Sequence, residues 1–299
     1  MASPFSFRGA ATALVTPMMR DGSVDDQALR RLVDFQITNG MDCLVPCGTT
    51  GESATLTHAE HHHVMDVVVE QTAGRVPVVV GAGSNSTREA ISLTKHARGI
   101  GASAVLSIAP YYNKPTQEGF FQHYKAIVED IDIPIIMYNV PGRTGSNMTA
   151  ETTLRLSELP GIAGIKEASG NFTQIMEILR HRPKNFMVLS GDDAITLPLM
   201  AVGIDGVISV VANEAPMQFS KMVHLALEGN FADARIIHEE LLPLMNLNFI
   251  ESNPIPVKGA LAMMGLIEEI YRLPLTPMSA DHRFAVRRAL EELHLTETV

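Results

Sequence analysis

Apolar and polar positions along the chain alternate in blocks rather than residue by residue. Short, nearly continuous apolar runs begin near Ala11 (ATALVT), Asp42 (DCLVP), Val76 (VPVVVG), Ala104 (AVLSI), Ile133 (IPIIMY), Ile162 (IAGIK), Phe186 (FMVLS) and Gly206 (GVISV), 20 to 34 residues apart. Their continuous apolarity predicts strands covered on both faces. Between them apolar residues recur with helical spacing: residues 25–39 place Leu29, Leu32, Val33 and Gln36 on one stripe, and residues 57–72 do so with Val64, Val67 and Val68. Thr57-x-x-Glu60 reads as a capping box, and Ser23-x-x-Asp26 resembles one with Asp in place of Glu. Eight strand-then-helix units predict an α/β chain folded as a closed (β/α)8 TIM barrel. After residue 229 the strand signal stops, and 231–246, 256–266 and 281–293 read as three helices. The expected division is therefore a (β/α)8 barrel domain over residues 1–229 and a C-terminal three-helix domain over 230–299.

An open doubly wound sheet would show the same alternation, but it carries a glycine-rich turn from strand to helix. The nearest match, Gly99-Ile-Gly101-Ala-Ser-Ala104, ends a helix and precedes a strand, the reverse order, and no Gly-Lys dipeptide exists for a P-loop. Charge narrows the partners. Lys plus Arg number 23 against 33 Asp plus Glu, a formal net charge of −10, so no nucleic acid is expected. The longest run without a charge covers 15 residues from Gly99 to Asn113, too short for a membrane span, so no membrane association is expected. Cys43 and Cys47 stand four apart in an extended segment, too far to bridge, and read as small buried hydrophobes of a reduced, cytoplasmic protein with no secretory leader.

In a barrel the chemistry sits where strands end. Those ends hold Gly48-Thr49-Thr50-Gly51-Glu52, Tyr111-Tyr112-Asn113, Tyr138-Asn139, Lys166 and Ser190-Gly191-Asp192. Lys166 is one of only seven lysines and closes an apolar stretch. It is either a strand-end lysine reaching for water or paired with Glu167, or a desolvated amine able to attack a carbonyl. Tyr138 on the neighbouring strand is a candidate proton carrier. The turn at Thr49 and Thr50 can present donors to an anion, and Arg143 can clamp a carboxylate through its fork of donors. His58, His61, His62 and His63 crowd one helix start, but the spacing does not match H-E-x-x-H and offers no third ligand, so no metal is expected.

Taken together, GTTGES (48–53), PYYNKP (110–115), YNVPGRTG (138–145), GIKEASGN (164–171), SGDD (190–193) and NPIPVK (253–258) resemble the dihydrodipicolinate synthases, pyruvate-dependent Schiff-base aldolases of the diaminopimelate route to lysine. The resemblance implies that Lys166 is the Schiff-base amine for pyruvate. It makes Tyr138 a proton shuttle relayed through Thr49 to Tyr112, the latter inserted from a neighbouring subunit. Thr50 then holds the pyruvate carboxylate, Gly191 and Ile208 line the pocket through their backbones, and Arg143 binds the carboxylate of L-aspartate-4-semialdehyde. It further implies a feedback site for L-lysine at Ser53, Ala54, His58, His61, Asn85, Glu89 and Tyr111. A homo-oligomer, a dimer of dimers, and no cofactor are implied too. Sister enzymes such as N-acetylneuraminate lyase or keto-deoxy-gluconate aldolase share Lys166, Tyr138 and the 48–52 turn; Arg143 is what favours a carboxylate-bearing aldehyde over a sugar.

Overall fold

The computed structural model describes residues 5–296. Eight parallel strands, β1 (Gly9–Ala13), β2 (Cys43–Val45), β3 (Val79–Gly81), β4 (Ala104–Ile108), β5 (Ile135–Asn139), β6 (Ile162–Glu167), β7 (Met187–Ser190) and β8 (Gly206–Ser209), pair in the order β2-β1-β8-β7-β6-β5-β4-β3. The sheet closes on itself: Leu44 bridges Val78, and the Gly81 N–H donates to the Pro46 carbonyl at 2.9 Å. A (β/α)8 barrel results, as the spacing predicts.

Strand alternation sorts the side chains into two layers. Ala11, Ala13, Val45, Leu106, Ile136 and Leu189 fill the barrel. Their neighbours Ala10, Leu44, Val105, Ile135, Ile165 and Val188 point outward under the helices. The helix Asp26–Thr38 buries Leu29, Leu32, Val33 and Gln36, and His58–Thr72 buries Val64, Val67 and Val68, the stripes read from the sequence. Thr57 and Glu60 form the full capping box.

The cap of the first helix corrects the sequence reading. Ser23 does not cap it; its N–H and hydroxyl both donate to Asp21 Oδ1, at 2.9 and 2.6 Å, and Val24 bridges back to Met18. The chain therefore enters the helix two residues later, where Asp25 Oδ1 accepts from the Ala28 N–H at 2.9 Å. Cys43 and Cys47 are buried and free.

Three further helices, Phe231–Leu247, Ile255–Met263 and Ala280–Glu292, follow the last barrel helix, Pro216–Leu227. They pack on the barrel: Leu241, Leu244 and Leu290 join the outer core, and Val257 and Leu261 pack with Val15, Leu32 and Val210. This docking brings residues 249–258 to the barrel mouth. The terminal residues 1–4 and 297–299 of the two expected units lie outside the described residues. No helix is long and apolar enough to cross a membrane among the described residues.

Candidate active site

β6 carries Lys166 and Glu167 in adjacent positions, so the two side chains leave on opposite faces. Glu167 turns outward and is fully engaged: it accepts from Asn139 Nδ2 at 2.6 Å, Gln174 Nε2 at 2.9 Å and the Ser169 N–H at 3.0 Å. It is not the partner of Lys166. The lysine turns inward, is 5% exposed, and among the described residues has no carboxylate oxygen within 4.0 Å. Burial pulls its amine down to about 8; the charge of Asp193 opposes this and that of Arg143 adds to it. Asp193 is itself pushed up to about 6 by burial, and its Oδ2 accepts from the Val210 and Val211 N–H groups at 3.0 and 2.8 Å.

Tyr138 is the register partner of Lys166 on β5, and the amine lies 4.4 Å from the centre of its ring. Burial raises the phenol, while the Arg143 charge and a hydrogen bond with Thr49 pull it back. A cavity of about 220 Å³ opens above the pair, with Thr49, Thr50, Arg143 and Gly191 also in its wall. Gly191 is required there by space, because a Cβ would stand 2.7 Å from Lys166 Cε and 2.8 Å from Ala168 Cβ. Ile208 is buried in the barrel interior in register with Ala11 and is absent from this wall, which Val210 completes.

A second groove, about 530 Å³, adjoins the first and shares Thr49, Arg143 and Asn253 with it. Ser53, Ala54, His58, His61, Glu89 and Tyr111 line it. Glu89 meets His58 at 2.5 Å and accepts from the Ser84 hydroxyl, and these hydrogen bonds hold its carboxyl below the usual range. Asn85 stands behind the wall, its Nδ2 donating to the Tyr111 carbonyl at 3.2 Å. Tyr112 does not reach the cavity of its own chain: it is 89% exposed, on a backbone with φ of 69°. The crowded histidines are individually occupied. His61 meets the Gly81 carbonyl, His63 meets Asp26, and His62 stacks on His96 at 3.9 Å. Among the described residues no group of three His, Cys, Asp or Glu could hold a metal ion.

Residues 6–293 match the dihydrodipicolinate synthetase family. The chain belongs to that family. The 4-hydroxy-tetrahydrodipicolinate synthase of Prosthecochloris aestuarii is 54% identical over 291 residues, covering 97% of this chain and 98% of the relative. That of Chloroherpeton thalassium is 53% identical over 290 residues, covering 97% and 96%. Among solved structures, the dihydrodipicolinate synthase of Acinetobacter baumannii complexed with pyruvate superposes with a TM-score of 0.95 at 45% identity, covering 96% of this chain and 99% of that one. The enzyme from Cyanidioschyzon merolae with lysine bound gives 0.94 at 42%, covering 97% and 99%. Membership makes the chain a lyase of diaminopimelate and lysine biosynthesis.

For this synthase-family site the structure adds residues whose roles are not legible in sequence. Asn253 is buried, its Nδ2 donates to Thr50 Oγ1 at 3.0 Å across 203 residues of chain, and its carbonyl accepts from Arg143 Nη2 at 3.5 Å. Phe249 walls the cavity from the same segment. Glu52, at φ 52°, forms a fully buried ion pair with Lys258, which ties the 48–52 turn to the helix Ile255–Met263. Burial pulls the Lys258 amine down while Glu52 holds it up. A lysine inside the apolar run Ile-Pro-Val-Lys-Gly-Ala-Leu was the available signal, but nothing local named its partner.

Proposed function

We propose that the chain condenses pyruvate, bound as a Schiff base on Lys166, with L-aspartate-4-semialdehyde to give 4-hydroxy-tetrahydrodipicolinate. The observation that carries this reading is the state of Lys166: buried, without a carboxylate partner, and facing a cavity sized for a small keto acid. A lysine kept partly neutral near pH 7 is a nucleophile, and burial is the device that keeps it so. Its nitrogen adds to the ketone; the carbinolamine loses water to an imine, and loss of a methyl proton gives an enamine. The enamine carbon attacks the aldehyde of the semialdehyde, whose own amine then closes the ring and displaces Lys166.

Each of these steps moves a proton. Tyr138 is in register beside the amine and shares the cavity wall with Thr49, which supports a relay through those two groups. The exposure of Tyr112 supports its completing the relay from the next molecule, so that Tyr112 of the partner subunit enters this cavity. On that reading the working unit is a dimer, and two dimers form the tetramer. Thr50, held by Asn253, takes the pyruvate carboxylate, with Gly191 beside it in the wall and Ile208 beneath that wall in the barrel interior. Arg143, exposed between cavity and groove, takes the carboxylate of the second substrate. The relative solved with lysine bound and the polar lining of the adjoining groove support L-lysine as an inhibitor held by Ser53, Ala54, His58, His61, Asn85, Glu89 and Tyr111. We place the boundary between the catalytic barrel and the helical unit at residues 229 and 230.

A coupled assay with pyruvate tests the reading. Turnover is expected with L-aspartate-4-semialdehyde and not with N-acetylmannosamine; the opposite preference would make the chain a sugar-acid aldolase.

A further inference from the structure

Glu214 is a completely buried carboxyl outside the cavity wall. It follows the single turn Val211–Asn213 at the end of β8, and its N–H donates to the Val211 carbonyl at 3.1 Å. Its Oε2 accepts from Asn248 Nδ2 at 2.8 Å, and Asn248, also completely buried, ends the helix Phe231–Leu247. Two atoms of this pair are left over: Glu214 Oε1 and Asn248 Oδ1 have no hydrogen-bond partner among the described residues. Both are acceptors when the acid is ionised. Rotating the amide by half a turn only changes which oxygens face each other, so a carboxylate leaves the same deficit.

No lysine, arginine or histidine nitrogen lies within 4.0 Å of Glu214 among the described residues. The charged group that acts on it is Asp193, on the turn after β7, and burial together with that charge pushes its carboxyl well above the usual range. Asp193 in turn faces Asp192 and Lys166. A buried carboxylate with one donor and an acid for a neighbour is expensive. One proton removes the whole deficit.

We propose that Glu214 is a neutral carboxylic acid whose hydroxyl donates back to Asn248 Oδ1, closing a two-bond acid–amide ring that positions the cavity wall. The ring joins two segments that matter to the site. The barrel side is the turn whose Val210 and Val211 N–H groups hold Asp193. The helical side continues directly into Phe249 in the cavity wall and Asn253 on Thr50. Glu214 is a positioning residue: it fixes the wall on the barrel while leaving Asp193 as the single buried negative charge facing Lys166. A hydrophobic pair would lack the directionality, and an ionised pair would add a second charge and hold the amine protonated to higher pH.

Infrared difference spectroscopy between the full-length protein and Glu214→Gln at neutral pH tests the proton directly. The expected result is a carboxylic-acid carbonyl band, above the amide I region, in the wild type and its loss in the variant; absence of the band overturns the proposal. This arm holds whether or not Lys166 forms an adduct, so its failure is distinct from failure of the Schiff-base reading on which the kinetic arm rests. In that arm Glu214→Gln, whose amide can make both bonds, is expected to keep the pH midpoint of pyruvate-adduct formation. Glu214→Leu is expected to slow adduct formation at least roughly tenfold. A downward move of the midpoint in Glu214→Gln would mean that a negative charge had been removed, and would overturn the neutral acid even if Glu214→Leu fails to fold.

Discussion

Gly191 and Lys166 are matched in space: a methyl group on the glycine would stand 2.7 Å from the lysine Cε, well inside contact distance. The end of Lys166 can give way, but the Ala168 Cβ, 2.8 Å from the same methyl, is fixed to its backbone, so the turn after β6 must shift as well. Gly191→Ala is therefore expected to lower Tm and to form the pyruvate adduct at least roughly tenfold more slowly. Wild-type rates in that variant would show that the amine has room to spare.

Protonation of Lys166 sets a pH dependence with a definite sign. Attack needs the free amine, and burial brings that amine from 10.5 to about 8. Stopped-flow measurement of adduct formation should give a rate that rises roughly tenfold per pH unit below that value and levels off above it. Between about 8 and 10.5 the unfolded chain binds a proton that the folded chain does not, so this group makes stability rise with pH across that window. Below about 8 it carries its full burial cost. Lys166→Met should accordingly abolish activity and raise stability at neutral pH, by of order 3 kcal/mol at most. A fall in Tm would mean that the amine is stabilised where it lies.

Tyr138 carries a prediction that separates binding from proton transfer. Tyr138→Phe keeps the ring that packs beside Lys166 and removes only the hydroxyl on the Thr49 side. KM for pyruvate should stay near the wild-type value while kcat falls by roughly two orders of magnitude or more. An unchanged kcat would remove Tyr138 from the relay.

The groove beside the active site predicts feedback. Titration with millimolar L-lysine should reduce turnover, and Glu89→Gln, which weakens the anionic end of the groove, should demand roughly thirtyfold more lysine for the same effect while leaving uninhibited turnover intact. Full activity at high lysine in the unaltered protein would leave the groove without this role.

How much of this was legible beforehand depended on distance along the chain. The strands, the helix stripes and the Thr57–Glu60 box are local patterns, and each is found where periodicity puts it. The Ser23 cap failed for a local reason as well: Asp21 competes for the same hydroxyl and N–H, and Asp25 is the better-placed acceptor. Lys166 stood out because an apolar strand rarely ends on a lysine, yet only the opposite orientation of Glu167 separates a nucleophile from an ion pair. Contacts between distant segments were invisible. The Asn253–Thr50 hydrogen bond, the Lys258–Glu52 pair and the Glu214–Asn248 contact all depend on how the C-terminal helices dock, which no spacing rule encodes.

The central claim is that one buried amine becomes covalently bound to pyruvate. Reduction of the protein with borohydride in the presence of pyruvate, followed by peptide mass analysis, tests it most directly. A single reduced pyruvyl adduct on the peptide containing Lys166 is the predicted result; no adduct, or one on any of the other lysines, would contradict the account.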